Sequence, residues 1–215
     1  MPRTQPFDEY SDEYDEWFEK NRELYAAEVE AIRQLLPWPG ADGVEVGVGS
    51  GKFAAPLGIR IGVEPAEKMA IKAEERGIRV YRGVAEHLPF PDGRFDFVLM
   101  VTTICFVDDV IKSFREAHRV LKPGGCIIVG FVDEDSDLGR EYADKRNTSR
   151  FCKEAAFFST PEVLNYLRQA GFGSVRIKQT LLRGQSGELI LDGFGKGAFV
   201  VIRGAKQDEP TRRST

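Results

Sequence analysis

A glycine-rich stretch that follows an apolar strand constrains this chain more than any other feature. The run Val44-Glu45-Val46 is typical of the end of a buried strand, glycines follow at positions 47, 49 and 51, and a short helical pattern begins at Lys52. Glycine is required where the backbone takes a positive φ or where another group approaches it closely. A strand, a glycine turn and a helix start form a cradle whose backbone N–H groups we expect to point at a ligand.

Spacing separates the ligands that such a cradle can hold. A phosphate-binding loop follows G-x-x-x-x-G-K-[ST], but Val46 and Phe53 occupy two of the required positions. A dinucleotide-binding loop follows G-x-G-x-x-G, and Lys52 stands where its third glycine belongs. The pattern present is an acidic residue, Glu45, followed by G-x-G-x-G. A glycine turn without any ligand is the remaining alternative.

The bulk composition is that of one globular domain. The chain has 215 residues and a hydrophobic content of 42%, which is enough for a large core. Its net charge of −4 argues against non-specific binding of nucleic acid. No apolar run approaches the ~20 residues of a membrane span, and the N-terminus lacks the apolar core of a secretory signal. The three cysteines form no CxxC pair, so we predict a cytoplasmic protein without a metal site.

Strand and helix patterns alternate along most of the chain. The strand patterns end at Val46 and then cover 59–64, 78–82, 95–101, 126–132, 175–182 and 198–203. This alternation predicts a doubly wound, three-layer α/β domain with a mostly parallel sheet. Ligands of such sheets bind at the carboxyl ends of the strands, where the glycines and Glu64 fall. We place this single domain over residues 1–204 and a disordered tail over 205–215.

Two segments outside the alternating pattern are expected to cover this edge of the sheet. Residues 1–36 begin with interleaved acidic and aromatic side chains and continue with helical spacing, which predicts an N-terminal lid and helix. A frayed, solvated lead-in over residues 1–20 is the alternative. Residues 133–160 interrupt the strand–helix rhythm with charged and then aromatic residues, and we interpret them as an insertion on the substrate side.

Four motifs resemble, in the same order, those of class I S-adenosylmethionine-dependent methyltransferases. They are VEVGVGSG, IGVEP, GVAEHLPFPDGRFDFVLM and REAHRVLKPGG, and they lie between residues 44 and 125. The chain is similar to the small-molecule enzymes of this class, a group that includes the quinone-biosynthesis methyltransferases. The resemblance implies a Rossmann-like sheet of seven strands in the order 3-2-1-4-5-7-6, with the last strand antiparallel, and S-adenosyl-L-methionine as cofactor.

The resemblance also implies roles for individual residues. Gly47, Gly49 and Gly51 would pass beneath the methionine and ribose of the cofactor, and Glu45 would orient the loop and contact the methionine part. Glu64 would accept hydrogen bonds from both ribose hydroxyls, because a carboxylate suits two neighbouring donors. Pro65, Ala85 and Glu86 would border the adenine, and Thr102 would lie below the sulfonium. The substrate-side candidates are Tyr10, Tyr14, Trp17, Thr103, Phe106, Tyr142 and Phe151, none of them a certain catalytic residue.

Two positions depart from the family pattern. Val84 stands where many relatives carry an acidic residue for the adenine amino group, so how that group is bound stays open. Ile104-Cys105 replaces a His-His pair, so these positions supply no imidazole base.

The predicted function is S-adenosylmethionine-dependent methyl transfer to a small-molecule acceptor. A cofactor-binding protein without transfer and a nicotinamide-dinucleotide oxidoreductase are the alternatives. The segment after the fourth strand, Val101-Thr102-Thr103-Ile104, lacks the [DNS]-P-P-[FYW] motif of enzymes that methylate nucleic-acid amino groups. We therefore predict no nucleic-acid partner. The acidic and aromatic lead-in favours a cationic or amine acceptor, and the sequence leaves the oligomeric state open.

Overall fold

An eight-stranded sheet forms the centre of the computed structural model, which describes residues 4–144, 150, 151, 153, 155–182 and 189–207, without the side chains of 142 and 143. The strands are β1 (Gly43–Val46), β2 (Ile61–Val63), β3 (Arg79–Tyr81), β4 (Phe95–Val101), β5 (Leu121–Val132), β6 (Phe172–Leu182), β7 (Leu191–Asp192) and β8 (Gly197–Lys206).

The strand order is β3-β2-β1-β4-β5-β8-β6-β7. The first five strands in this order are parallel, and β8 runs antiparallel to both β5 and β6. The predicted order and the antiparallel last strand are thus confirmed, but the predicted count of seven is wrong. The extra strand, β7, pairs with β6 through Lys178 and Gln179. The two residues of β7 are too few to produce a recognisable alternation of apolar and polar side chains in the sequence. They nevertheless cover part of a sheet edge that would otherwise be open.

Helices cover both faces of the sheet. They are α1 (Gln5–Glu9), α2 (Ser11–Lys20), α3 (Arg22–Arg33), α4 (Ala54–Leu57), α5 (Glu67–Glu75), α6 (Val110–Val120), α7 (Asp137–Asp144) and α8 (Thr160–Gln169). Ile127 of β5 belongs to the buried cluster that contains α6 and α8, whereas its neighbour Ile128 belongs to the cluster that contains α3. Because both faces are covered, the central strands are apolar on both sides.

The N-terminal segment is helical and lies against the glycine-loop side of the domain. Phe18 of α2 is buried and its ring packs edge-on against Tyr25 and Phe53. Three carboxylates of α2 form ion pairs with the body of the domain: Asp12–Lys72 at 2.6 Å, Asp15–Arg76 at 2.7 Å and Glu19–Lys52 at 3.0 Å. Much of the acidic charge that suggested a cationic acceptor therefore holds this segment in place.

The C-terminal end of the domain lies beyond the predicted boundary at residue 204. Strand β8 continues to Lys206. The ammonium group of Lys206 donates hydrogen bonds to the carbonyls of His118 at 2.8 Å and Leu121 at 2.7 Å. The prediction of a disordered tail is therefore wrong for Ala205 and Lys206, since backbone pairing with Cys126 and Phe172 extends the strand. Gln207 follows the strand and its N–H donates to the carbonyl of Gly171 at 3.0 Å, whereas 208–215 lie outside the described residues.

Candidate cofactor and acceptor site

The glycine loop joins β1 to α4 and directs most of its amides inward. The N–H groups of Gly47 and Val48 donate to the carbonyl of Val63 at 2.8 and 3.1 Å, and the N–H of Gly51 donates to the carbonyl of Val48 at 2.8 Å. The N–H of Gly49 donates to the carboxylate of Glu64 at 2.8 Å. The expectation that these amides point at a ligand is therefore wrong for these four, because the protein itself accepts their hydrogen bonds.

The three loop glycines have different reasons to lack a side chain. All three take positive φ angles of 53° to 83°. A Cβ on Gly47 would come within 2.4 Å of the methyl group of Thr103, and one on Gly51 within 2.5 Å of Ile78. At Gly49 the nearest atoms, Met69 Cε and the Tyr14 hydroxyl, would both be 3.8 Å away. Of the three, only Gly49 thus has room for a Cβ, which would make ordinary contacts. Gly51 serves packing and does not line the cavity.

Glu64 follows β2 and presents its carboxylate to the cavity. One oxygen accepts from the N–H of Gly49 at 2.8 Å and the other from the N–H of Ala66 at 2.9 Å. Only 7% of the residue is exposed, and burial raises its pKa to about 7. Each carboxylate oxygen has a further acceptor site, so two fixed oxygens remain able to accept from a ligand.

Glu45 lies beneath the glycine loop and outside the cavity wall. The residue is 1% exposed, and its carboxylate accepts a hydrogen bond from the backbone N–H of Ala54 at the start of α4. Burial raises its pKa well above the ordinary range. Its Oε2 atom has no hydrogen-bond partner among the described residues. This geometry suits the predicted role of orienting the loop, whereas the predicted contact with the methionine part would require a ligand group to reach below the loop.

The predicted adenine side of the site lies at the ends of β2 and β3. Pro65, Val84, Ala85 and Glu86 all line the cavity. The Glu86 carboxylate accepts from the backbone N–H groups at positions 108 and 109, at 2.7 and 3.2 Å, just before α6 begins. An acid at a helix N-terminus stabilises that end, so Glu86 also fixes the position of this wall.

Two threonines at the end of β4 form the floor of the cavity. Thr102 has a φ of 50°, a strained conformation for a β-branched residue that is concentrated at functional sites. Its amide donates to the carbonyl of Gly130 at 2.8 Å, which holds the strained residue in place. The Thr103 hydroxyl lies 3.1 Å from the carbonyl of Val46 and 3.0 Å from that of Val101. Thr103 therefore lines the cavity with its hydroxyl turned towards the strand ends.

An aromatic cluster closes the cavity from above. Phe7 of α1 packs against Phe106 and Phe151, with ring centroids 4.9 and 5.5 Å apart, and Tyr14 packs against Phe151 at 6.0 Å. Tyr10 does not line the cavity, and its ring contacts Phe151 and the guanidinium of Arg150 on the outside. The helices α1 and α2 thus form a roof rather than a solvated lead-in.

Twelve of the predicted site residues line one cavity of about 710 Å³. They are Tyr14, Trp17, Gly47, Gly49, Glu64, Pro65, Ala85, Glu86, Thr102, Thr103, Phe106 and Phe151. Tyr10, Glu45 and Gly51 lie outside the wall, and the side chain of Tyr142 lies outside the described residues. A volume of this size is typical of sites that enclose small molecules.

The sequence analysis did not single out several wall residues. They include Glu28, Phe53 and Phe131. Phe7, Phe18 and the run 155–158 also line the cavity, and they belong to the two segments that were predicted to cover this edge of the sheet. Glu28 was visible in principle, since it shares one helix face with Ile32 and Leu35 at i+4 and i+7 spacing, and an acid on an apolar helix face is unusual. The contribution of Phe131 depends on tertiary packing and left no such pattern.

Glu28 is the second buried carboxylate in the cavity wall, on the α3 side. The residue is 6% exposed, and burial raises its pKa to about 8. The groups that experience its charge are the phenols of Tyr14 and Tyr25. Among the described residues no cation offsets the cost of burying the ionised form of this carboxyl.

We expect the ligand-free Glu28→Gln variant to be more stable than wild type at about pH 8.5 and close to wild type in stability at about pH 4. In the unfolded chain Glu28 ionises near its ordinary pKa of 4.5, whereas in the folded protein it keeps its proton up to about 8. The unfolded state therefore binds fewer protons between these values, and the wild-type carboxyl loses stability as the pH rises through that window. Thermal unfolding across the pH range measures the difference, which we expect to reach about 5–10 °C. A constant difference at all pH values would contradict the burial of this acid.

Comparison with known proteins identifies the family. A model described as a methyltransferase domain matches residues 44–129. The chain is 42% identical to an uncharacterised protein of Methanocaldococcus jannaschii over 207 residues, which is 93% of this chain and 98% of that protein. A crystal structure from Thermotoga maritima, described as an S-adenosylmethionine-dependent methyltransferase and possible histamine N-methyltransferase, is 48% identical. It superposes with a TM-score of 0.91 over 95% of this chain and 99% of that one. The chain belongs to the S-adenosylmethionine-dependent methyltransferases.

A quinone-modifying relative also matches this methyltransferase. The ubiquinone biosynthesis O-methyltransferase of Azorhizobium caulinodans is 31% identical over 159 residues, which is 65% of this chain and 62% of that protein. The match agrees with the resemblance to the quinone-biosynthesis group. Over its described residues, the methyltransferase has no helix that is both long and apolar enough to cross a bilayer.

The site of this methyltransferase fits a nucleoside cofactor without phosphates. The space above Gly49 admits close approach by a ligand, and two fixed carboxylate oxygens of Glu64 suit a ribose diol. A pyrophosphate would need free amides at the loop, but those of residues 47, 48, 49 and 51 are already bonded. The cradle is thus better suited to S-adenosylmethionine than to a nicotinamide dinucleotide.

Proposed function

We propose that this protein transfers a methyl group from S-adenosylmethionine to a small-molecule acceptor held beneath α1 and α2. The observation that carries the proposal is one cavity that brings together Gly49, Glu64 and the aromatic roof. The first two suit the nucleoside part of the cofactor, and the roof is built largely of aromatic side chains. Because both regions line the same space, cofactor and acceptor would be neighbours.

The residues around the loop would bind and orient the cofactor. Glu64 would accept hydrogen bonds from the ribose hydroxyls, and the wall formed by Pro65, Ala85 and Glu86 would border the adenine. Thr102 would lie beneath the reacting end, with its backbone held by Gly130. Glu45 would support the loop from below through the amide of Ala54. When bound, S-adenosylmethionine supplies a methyl group made electrophilic by its sulfonium.

The protein's main contribution to the reaction is alignment and exclusion of water. Holding two reactants in attacking geometry can lower a barrier by roughly 7–11 kcal/mol. The packed rings of Phe7, Phe106 and Phe151 would keep solvent from the reacting atoms. Because the acceptor has to pass this roof, α1 and α2 would move aside during each turnover. No residue needs to act as a base for an acceptor that is already nucleophilic.

Two observations bear on the chemistry of the acceptor. The related Thermotoga maritima protein is described as a possible histamine N-methyltransferase, which supports a nitrogen acceptor here. The Azorhizobium caulinodans relative is named as an O-methyltransferase of ubiquinone biosynthesis, but a smaller share of its length matches this chain. We propose a small-molecule acceptor, no nucleic-acid partner and a cytoplasmic location.

Formation of S-adenosylhomocysteine tests the proposed function. The purified protein would be incubated with S-adenosylmethionine and a panel of small amines, phenols, thiols and carboxylic acids, and the product quantified by mass spectrometry. We expect turnover with at least one class, and none with oligonucleotides. Tight cofactor binding without product from any acceptor would favour the alternative of a binding protein without transfer.

A further inference from the structure

Glu28 is a buried carboxylate that the methyl-transfer proposal leaves unused. It projects from α3 into the cavity wall and is 6% exposed. Among the described residues no group donates a hydrogen bond to it, and burial is the sole cause of its raised pKa. An unpaired buried carboxyl avoids the cost of a buried charge by keeping its proton. A cation bound beside it would favour the ionised form and pair with it. A buried acid that opens into a ligand cavity without a partner is therefore a suitable anchor for a ligand cation.

Glu28 and the cofactor loop belong to different parts of the cavity wall. Glu28 is a residue of α3 and lines the cavity together with Tyr14 and Trp17 of α2. Glu64 instead follows β2 and is bonded to the amide of Gly49 in the glycine loop. Glu28 thus belongs to the helical side of the cavity, the side on which the proposed function places the acceptor.

The surroundings of Glu28 suit a cation on an apolar body. Tyr14, Trp17, Phe18 and Phe53 line the same cavity as Glu28, and the other three rings pack against Phe18. Aromatic faces attract ammonium groups. The one lysine in the wall, Lys20, is 71% exposed at its side chain and paired with Glu16 at 2.9 Å. The described interior of the cavity thus offers carboxylates and rings but no buried cation for an acidic acceptor.

We propose that Glu28 anchors a positively charged amine on the methyl acceptor, and that the acceptor is a small amine with an apolar or aromatic body. This inference rests on the proposed function, because the amine is the acceptor of that reaction. Glu28 acts as a specificity-determining residue, and the nitrogen that it holds need not be the atom that is methylated.

A comparison of Glu28→Gln with Glu30→Gln tests the anchor. Glu30 lies one half-turn further along α3 and pairs with Arg33 on the surface, so its variant controls for changes to the helix. The panel contains arylalkylamines together with the alcohols and carboxylates of the same skeletons, assayed at pH 8 for S-adenosylhomocysteine release. We expect wild type to prefer amines by at least about 10-fold in kcat/KM. Loss of the buried partner in Glu28→Gln should lower kcat/KM for amines by about 30- to 100-fold, mainly through KM.

The same variants separate this anchor from other roles of Glu28. We expect Glu28→Gln to change turnover of the alcohols, where measurable, by less than about 3-fold and the affinity for S-adenosylhomocysteine by less than about 2-fold. An equal loss for amines and alcohols would overturn the proposal. So would a preference for carboxylates, or a fall in S-adenosylhomocysteine affinity that matches the fall in amine turnover, since Glu28 would then pair with the cofactor's own ammonium.

Calorimetry distinguishes failure of this inference from failure of the proposed function. Binding of the arylalkylamines is measured to wild type and Glu28→Gln, with and without S-adenosylhomocysteine. Amine binding that depends on Glu28 supports the anchor even if no methyl group is transferred, in which case the proposed function alone fails. Amine binding that is absent, or equal in the two proteins, overturns the anchor even if other acceptors are methylated.

Discussion

Gly49→Ala is expected to lower the affinity for S-adenosylmethionine by about 10- to 100-fold while the protein still folds. A Cβ at this position would meet no protein atom closer than 3.8 Å, so the ligand-free structure has room for it. It would project into the space that a ligand above the loop must enter, and overpacking of this kind costs about 1–3 kcal/mol. Isothermal titration with S-adenosylmethionine and with S-adenosylhomocysteine measures the change.

Gly58→Ala provides the matched control for this substitution. Gly58 ends α4 with a φ of 76°, against 53° at Gly49, and a Cβ there would have no neighbour within 4 Å. Both variants should therefore lose about 1–2 kcal/mol of stability through the left-handed conformation. Only Gly49→Ala should lose affinity, because Gly58 lies outside the cavity wall. Equal affinities in the two variants would show that no ligand passes close above the loop.

Glu64→Gln is expected to weaken binding of S-adenosylmethionine by about 30- to 150-fold. The carboxylate oxygens are held by the amides of Gly49 and Ala66, and in the proposed complex their remaining acceptor sites bind the ribose diol. Glutamine keeps the shape but replaces one acceptor by a donor, which removes a charge-assisted hydrogen bond worth about 2–3 kcal/mol. The buried acid has a pKa of about 7, so the titration is best performed at pH 8.

A ligand comparison and a protein control define what Glu64 contacts. 5′-Methylthioadenosine keeps the ribose diol but lacks the amino acid, so Glu64→Gln should weaken its binding by the same factor. Glu162 also accepts a backbone amide, that of Ser159 at 2.9 Å, but lies outside the cavity wall. Glu162→Gln should leave both affinities within about 2-fold of wild type. If S-adenosylmethionine loses affinity and methylthioadenosine does not, Glu64 does not hold the sugar.

The sequence predicted those parts of the fold that depend on local pattern. The run Phe95–Val101 matches β4 at both ends, because a strand buried on both faces is largely apolar. Its one polar residue, Asp96, is half-buried near the start of the strand. The glycine loop and Glu64 were predicted to meet at the carboxyl edge, and they do so through a direct hydrogen bond. These features follow from local sequence patterns, which do not depend on contacts with distant parts of the chain.

The features that sequence reasoning missed depend on contacts between distant segments. The inward direction of the loop amides is set by the carbonyl of Val63, and the packing role of Gly51 is set by Ile78 and Ala73. Composition alone left residues 1–20 open between a lid and a solvated segment. Their helices become ordered through partners such as Arg76, 61 positions away from Asp15. Glu28 was missed because a single acidic residue in a helix is normally assigned to the solvent-exposed face. Its position on the apolar face becomes visible only when the residues that share that face are identified.

Calorimetric titration of the wild-type protein with S-adenosylhomocysteine and with NAD⁺ tests most directly whether the glycine loop and Glu64 hold a sulfonium nucleoside. The bonded loop amides and the free oxygen sites of Glu64 predict one S-adenosylhomocysteine bound per chain with a dissociation constant in the micromolar range or below, and no measurable heat with NAD⁺. Saturable binding of NAD⁺ without binding of S-adenosylhomocysteine would contradict the assignment of this site.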